Sequence, residues 1–312
     1  MRGCDISRCN RLLAGALGLA LLGVGREAEA APAEPFEVFR FSAASALFAP
    51  PGVGRDGSVY VGSGEGYVHA LASDGRYRWS YTVKGRIVAA PVEEPATGRV
   101  FVATSEARLY ALEPDAHLRW VFPLPVAPKT ELALTPKGTL LFVGRDDYLY
   151  GVTTSGALTL RLSAAGARSA PAALDGGQSA LLLADTFATL KGYGYERTPL
   201  PGPFAASAKL AIAANRAIFA CEDGHARVVG AAESVDVPSD CLSAPVRGDG
   251  FLAIAEASGT VKLHYASGAA VTLPLGAAPL RPVWDAPRRR LVLSTATGAV
   301  SVLELPASGG AP

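Results

Sequence analysis

Histidine, the residue that most often serves as a metal ligand or general base, is scarce and dispersed in this chain. The four histidines are His69, His117, His225 and His264. Asp146 and Asp147 form an adjacent pair of carboxylates in a short turn, where nothing holds the two groups across a substrate. The sequence has no phosphate-binding Gly-Lys-Ser/Thr loop and no Gly-x-Ser-x-Gly motif. It therefore predicts no catalytic residues, no metal site at a common centre and no cofactor.

Two cysteines, Cys221 and Cys241, lie outside the N-terminal segment that we interpret below as an export signal. An even number of cysteines in an exported chain favours a disulfide. A bond between these two would close a loop of about 20 residues and stabilise the fold by roughly 3 kcal/mol. Free thiols are one alternative, and a small metal site that also uses Glu222, Asp223 and His225 is another.

These side chains are carried by a unit that recurs along the chain. Its clearest copy, residues 49–81, has three alternating β-runs after an Ala-Pro pair, with glycine-rich turns between them. The turn residue before the third run recurs at steps of 35 to 41 residues, at Gly66, Ala107, Asp147, about Phe187, Gly224, Gly259 and Gly298. Proline precedes it by about 16 residues in five copies, at Pro50, Pro91, Pro171, Pro245 and Pro282. A repeat of about 40 residues with four short strands is typical of a β-propeller blade.

The predicted fold is all-β: a seven-bladed β-propeller of four-stranded antiparallel blades over residues 36–306. The seventh copy supplies only three strands, and the missing strand is at residues 36–42, where Arg40-Phe41-Ser42 matches Arg78-Trp79-Ser80. We therefore expect the N-terminal strand to pair in the last blade and close the ring. An open array and a ring of six or eight blades are the alternatives.

The turns after the second strands and the connections into the next blade should share one face of the ring, and both are rich in charge. The candidate binding residues on this face are Lys84, Arg86, Lys129, Arg168, Arg281, Asp146 and Asp147. They could line a polar funnel that binds an anionic ligand or an extended peptide near the axis. Ordinary solvated turn residues would give the same pattern.

The repeats resemble the PQQ-like propeller repeat. The residues that carry the resemblance are Tyr60-Val61-Gly62-Ser63, Gly66-Tyr67-Val68-His69-Ala70-Leu71 and Gly75-Arg76-Tyr77-Arg78-Trp79, repeated as Phe101-Val102-Ala103-Thr104, Ala107-Arg108-Leu109-Tyr110-Ala111-Leu112 and Leu118-Arg119-Trp120. The resemblance implies that Trp79 and Trp120 dock against the neighbouring blade, and Phe41 is their expected counterpart at the ring closure.

The resemblance implies two kinds of function. Enzymatic members of this family are quinoprotein dehydrogenases with eight blades, which hold quinone and calcium beneath a disulfide between adjacent cysteines. This chain has no adjacent cysteines. Other members bind no quinone, and one of them is a lipoprotein of the outer-membrane assembly machinery. The chain is similar to it in export and repeat type, but lacks a lipobox and has one blade fewer.

The first 30 residues have the features of a secretory signal peptide. Arg2, Arg8 and Arg11 precede an apolar run over residues 12–24, and Ala28-Glu29-Ala30 provides a small-residue cleavage site. An uncleaved anchor is the alternative, and no later run is long enough to span a membrane. After cleavage 25 basic and 25 acidic residues remain, a balance that argues against nucleic acid as a partner. Residues 31–35 are expected to be a short N-terminal segment and 307–312 a disordered tail.

The sequence therefore favours an exported, non-catalytic and monomeric propeller in the periplasm or outside the cell. We expect it to act as a protein-binding scaffold whose partner is another envelope protein. Binding of a small molecule or glycan in the axial funnel is one alternative. The other is an enzyme, either a degenerate quinoprotein or a propeller lyase.

Overall fold

Residues 34–230 and 234–306, the part of the chain described by the computed structural model, form seven four-stranded antiparallel sheets. Each sheet is one blade, so the predicted seven-bladed β-propeller is confirmed. The predicted export signal, residues 1–30, lies outside the described residues, as do residues 31–33 and the predicted tail. No helix in the described ranges is both long and apolar enough to cross a bilayer.

Blades 1 to 6 each consist of four strands that follow one another along the chain. Blades 1 to 3 contain β2 (Gly52–Val53), β3 (Val59–Gly62), β4 (Tyr67–Leu71), β5 (Tyr77–Thr82), β6 (Val92–Glu93), β7 (Val100–Thr104), β8 (Arg108–Leu112), β9 (Leu118–Pro123), β10 (Ala133–Leu134), β11 (Thr139–Val143), β12 (Tyr148–Thr153) and β13 (Leu158–Ser163). Blades 4 to 6 contain β14 (Ala172–Ala173), β15 (Ser179–Leu183), β16 (Thr186–Lys191), β17 (Gly194–Pro199), β18 (Lys209–Ile212), β19 (Ile218–Glu222), β20 (His225–Val229), β21 (Val235–Pro238), β22 (Val246–Gly248), β23 (Phe251–Ala255), β24 (Thr260–Tyr265) and β25 (Ala270–Pro274).

Blade 7 combines the two ends of the propeller. Its strands are β26 (Val283–Asp285), β27 (Arg290–Ser294), β28 (Ala299–Glu304) and β1 (Phe36–Ser42), with a 3₁₀-helix at Ala286–Arg288 after the first of them. β1 pairs antiparallel with β28, from Phe36 opposite Glu304 to Ser42 opposite Ala299. This pairing agrees with the predicted ring closure.

The apolar core is divided into layers between the blades. Second strands such as β7 and β15 are buried along their whole length, because both of their faces are covered by neighbouring blades. One cluster contains Phe101 of blade 2 and Tyr150 of blade 3, and another contains Val61 of blade 1 and Val302 of blade 7. The second cluster closes the ring with the same kind of apolar contact that joins the other blades.

Trp79 and Trp120 each bridge from a fourth strand to the following blade. Trp79 Nε1 donates a hydrogen bond to the carbonyl oxygen of Pro114, at 2.8 Å, and Trp120 Nε1 donates to that of Thr154, at 3.3 Å. Both acceptors belong to the turn between the third and fourth strands of the next blade. The two indoles therefore occupy equivalent slots.

The pairing register places Phe39, rather than Phe41, at the position equivalent to Trp79. Each of these two residues directly follows the β-bulge of its fourth strand. A Cβ on Gly75 of blade 1 would stand 2.5 Å from Phe39, so the phenyl ring covers that turn. The sequence match of Phe41 with Trp79 is displaced by two residues, because residue type does not reveal the bulge. Phe41 does contact blade 1, where its ring lies 5.4 Å from that of His69.

Candidate functional site

The loops of the ring fall on two opposite faces. One face, which we call the connection face, carries the turn after each second strand and the connection into the next blade. The hairpin face carries the turns after the first and third strands. Isolated β-bridges, such as those from Leu47 to Ser63 and from Ile87 to Thr104, join a connection to the end of a second strand. By their place in the chain, all seven candidate residues belong to turns or connections of the connection face.

Three of these candidates lie close together at blade 3. Lys129 Nζ and Asp147 Oδ1 are 2.6 Å apart, and Asp146 accepts a hydrogen bond from the Tyr150 hydroxyl at 2.6 Å. Lys129 and Asp147 are both close to half exposed, so their ion pair contributes little to stability. They form an accessible polar patch.

Arg86 lies over an exposed aromatic ring that the sequence did not single out. Its Cζ atom is 4.9 Å from the centre of the Phe48 ring, and Phe48 is 51% exposed. The Arg86 backbone N–H donates to Ser105 Oγ at 3.1 Å, which fixes the connection that carries it. The pair presents a cation–π unit to solvent.

Arg168 and Lys84 have structural partners on the same face. The Arg168 guanidinium donates to the carbonyl oxygens of Ala184 and Phe204, at 3.4 and 3.3 Å, and to that of Ala205. It thereby ties blade 4 to the connection that leads into blade 5. The backbone N–H of Lys84 donates to the Tyr110 hydroxyl at 3.0 Å.

Arg281 is separated from the other candidates because it lines a cavity that reaches the hairpin face. The cavity has a volume of about 620 Å³. Its walls come from the first strands of blades 5, 6 and 7 and from turns of the hairpin face, and include Asp175, Ile212, Asn215, Val246, Asp249, Val283 and Trp284. Because the first strands surround the axis, this is an axial cavity. Nε of Arg281 is buried without a partner, and no described residue accepts a hydrogen bond from the guanidinium.

Glu131 brings a second charge to the interior from blade 3. Its carboxylate accepts a hydrogen bond from the Ala90 backbone N–H. Burial raises the pKa of Glu131, opposed by this hydrogen bond and by Arg281. Burial also lowers the pKa of Arg281, opposed by Glu131. The two groups thus interact through space, although no described hydrogen bond joins them.

A disulfide joins Cys221 to Cys241, whose Cα atoms are 5.9 Å apart. It links the second strand of blade 5 to the connection that enters blade 6, on the connection face. Glu222, a residue of the alternative metal site, accepts instead from the Ala205 N–H at 2.6 Å and from Arg227 at 3.0 Å. Within the described ranges, no group of three or more His, Cys, Asp or Glu side chains is placed to hold a metal ion.

Two comparisons with known proteins bear on this architecture. The family model described as outer membrane protein assembly factor BamB matches residues 31–192, just over half of the chain. The chain belongs to this family. BamB from Moraxella catarrhalis, seen in its crystal structure, superposes with a TM-score of 0.55 and 16% sequence identity, covering 86% of this chain and 88% of that one. At this identity, the likeness shows a shared fold. No curated protein matches the sequence.

BamB family membership confirms the PQQ-like repeat resemblance, and the matched range ends inside blade 4. The sequence reasoning missed Phe48, because a single aromatic residue in a connection carries no periodic signal. Glu131 did leave a signal, since it stands where five other blades have a proline before the first strand.

Proposed function

We propose that this protein is an assembly factor of the cell envelope, which binds other proteins without catalysing a reaction. The observation that carries the proposal is the match of residues 31–192 to a family described as outer membrane protein assembly factor. The export features of residues 1–30 support a location in the periplasm. The closed ring provides a rigid scaffold, and loops on rigid scaffolds commonly carry binding residues.

The connection face around Phe48 and Arg86 is the partner-binding surface in this proposal. Aromatic and arginine side chains contribute most often to binding hot spots. Here one of each is held together, with the ring 51% exposed and the guanidinium above it. Lys129 and Asp147 supply charges elsewhere on the same face, which suits the polar rim of an interface.

Photo-crosslinking tests this surface. p-Benzoylphenylalanine at position 48, in cells of the source organism, should form an adduct with an outer-membrane protein or an assembly component. Arg86→Glu should reduce the adduct yield about tenfold, because it removes the cation and reverses the charge at the anchor.

Tyr193 provides the matched control. It is 85% exposed, but lies on the hairpin face in the turn between β16 and β17. The same label at position 193 should give no such adduct. Equal adducts at both positions, or none at position 48 in cells that contain the folded protein, would exclude the connection face as the partner-binding surface.

Binding of a small anion in the axial cavity is a second candidate function. The observation that favours it is the Arg281 guanidinium, which faces a cavity of about 620 Å³ without a protein acceptor among the described residues.

Citrate is a suitable probe, since a guanidinium binds carboxylates in a bidentate manner. Calorimetry should detect citrate binding that Arg281→Gln weakens at least about tenfold. Arg145→Gln, a change at an exposed residue of the connection face, should leave it unchanged. Equal binding by all three proteins would reject this function.

A further inference from the structure

The slot that holds an indole between blades 1 and 2, and between blades 2 and 3, recurs between blades 5 and 6. In the filled slots, Trp79 pairs with Ala70 and Trp120 pairs with Ala111. The register in blade 5 places Val235, opposite Val228, at the equivalent position. Blade 5 therefore presents a small side chain where blades 1 and 2 present tryptophan.

A cavity of about 460 Å³ lies where that indole is missing. Its lining includes Val228, Val235, Val237, Phe251, His264 and Tyr265. Gly268, which also lines it, occupies the turn position that Gly156 has in blade 3. A Cβ on Gly156 would meet Trp120 at 3.3 Å, whereas a Cβ on Gly268 would meet nothing within 4 Å. The slot between blades 5 and 6 is thus formed but not filled by the described residues.

A polar group without a partner lies beside this apolar slot. His264 Nε2 is buried and has no hydrogen-bond partner in the described part of the chain. Burial, assisted by Lys262, lowers the pKa of His264, so its imidazole is neutral near pH 7. The carbonyl of Ala266 stands at the turn position of Pro114 and Thr154, the acceptors of the two intrachain indoles. Buried polar atoms of this kind are normally satisfied, which indicates an occupant with polar groups of its own.

We propose that the slot between blades 5 and 6 binds an aromatic side chain, of the tryptophan type, presented by a partner polypeptide. The equivalent slots hold indoles that belong to a β-strand, and their shape and acceptor position are the features reproduced here. An indole would fill the apolar volume, and its N–H would donate a hydrogen bond to the carbonyl oxygen of Ala266. His264 Nε2 would then be available to the backbone of the same polypeptide. This proposal rests on the proposed protein-binding function in one respect: that function supplies the partner polypeptide whose side chain fills the slot.

Three probes test the occupant by calorimetry with the purified chain: the peptide Ser-Val-Trp-Val-Ser, the same peptide with leucine in place of tryptophan, and free indole. The tryptophan peptide should bind at least about tenfold more tightly than either of the others. Indole binding as tightly as the peptide would reject a polypeptide occupant. Equal binding of the two peptides would reject aromatic specificity.

Val235→Trp supplies the missing indole from within the chain. It should raise the urea midpoint of unfolding and weaken peptide binding at least about tenfold, since the slot is then filled. Leu158→Trp is the control, because it adds an indole to a fourth strand at a position that is 42% exposed. It should change neither quantity.

Wild-type crystals soaked with the tryptophan peptide provide a test that needs no variant. The indole should lie over Gly268, and an indole bound elsewhere would overturn the proposal. Failure of crosslinking at Phe48 would reject the connection face yet leave the slot intact. Failure of the peptide to bind would reject the slot alone.

Discussion

Replacing Gly298 with alanine is expected to lower the free energy of unfolding by about 3 to 4 kcal/mol. Gly298 has a φ of 104°, and an added Cβ would stand 2.3 Å from the carbonyl oxygen of Ser45. Ser45 belongs to the connection from β1 to β2, so the clash falls where the two ends of the ring meet. The Ala43 N–H also donates to Gly298 O, at 2.9 Å, and a displaced turn would lose this hydrogen bond. Urea unfolding followed by circular dichroism measures the change.

Gly224→Ala is the matched control. Gly224 occupies the same turn of blade 5 with a φ of 76°, and an added Cβ would meet nothing within 4 Å. Only the backbone strain remains, so the free energy of unfolding of this variant should fall by about 1 kcal/mol. Ala107 and Asp147 hold the equivalent turns of blades 2 and 3 at φ values of 53° and 59°, which shows that a side chain is tolerated there. Equal losses in the two glycine variants would mean that the contact with Ser45 does not constrain the closure.

Removing the disulfide by the double change Cys221→Ala and Cys241→Ala is expected to cost about 3 kcal/mol of unfolding free energy. The bond spans 20 residues and holds the connection into blade 6 against the second strand of blade 5. Its loss gives the unfolded chain more freedom, which is the main source of the effect. Urea unfolding of the oxidised protein and of the variant provides the measurement.

Reduction supplies the control for the disulfide. In a strong reductant, the wild-type protein should unfold at the urea concentration of the double variant. The unfolded, unreduced protein should also be treated with an alkylating agent and measured by mass spectrometry. Neither Cys221 nor Cys241 should be alkylated, because both are held in the disulfide. Two alkylated thiols in the protein isolated from the envelope, or a midpoint insensitive to reductant, would contradict a stabilising disulfide.

The sequence predicts most of the strands because each blade repeats one pattern of burial. β1 has the predicted bounds. The fourth strands are harder to align. They are half exposed and can contain a bulge, so Phe41 was chosen in place of Phe39. Pairing register, rather than residue type, decides those positions.

The sequence was less informative about the candidate site. It placed the seven charged residues on one face, as their strand order dictates. It could not show that Arg281 lines a cavity reaching the other face, since that depends on how the first strands pack around the axis. Nor could it show the slot between blades 5 and 6, because an unfilled volume has no residue to mark it. Glu131 was visible only as a departure from the proline pattern.

The pairing of β1 with β28 also has a consequence for the folding kinetics of this protein. Phe36 and Glu304 are partners in the sheet, so β1 cannot pair until β28 has been synthesised. Contacts between residues so far apart in sequence carry a large loop-closure entropy and tend to form slowly. Until then, β1 and the third strand of blade 7 both have open edges that can pair with another chain. The delay between the first and last strands therefore sets how long the nascent propeller is exposed to aggregation.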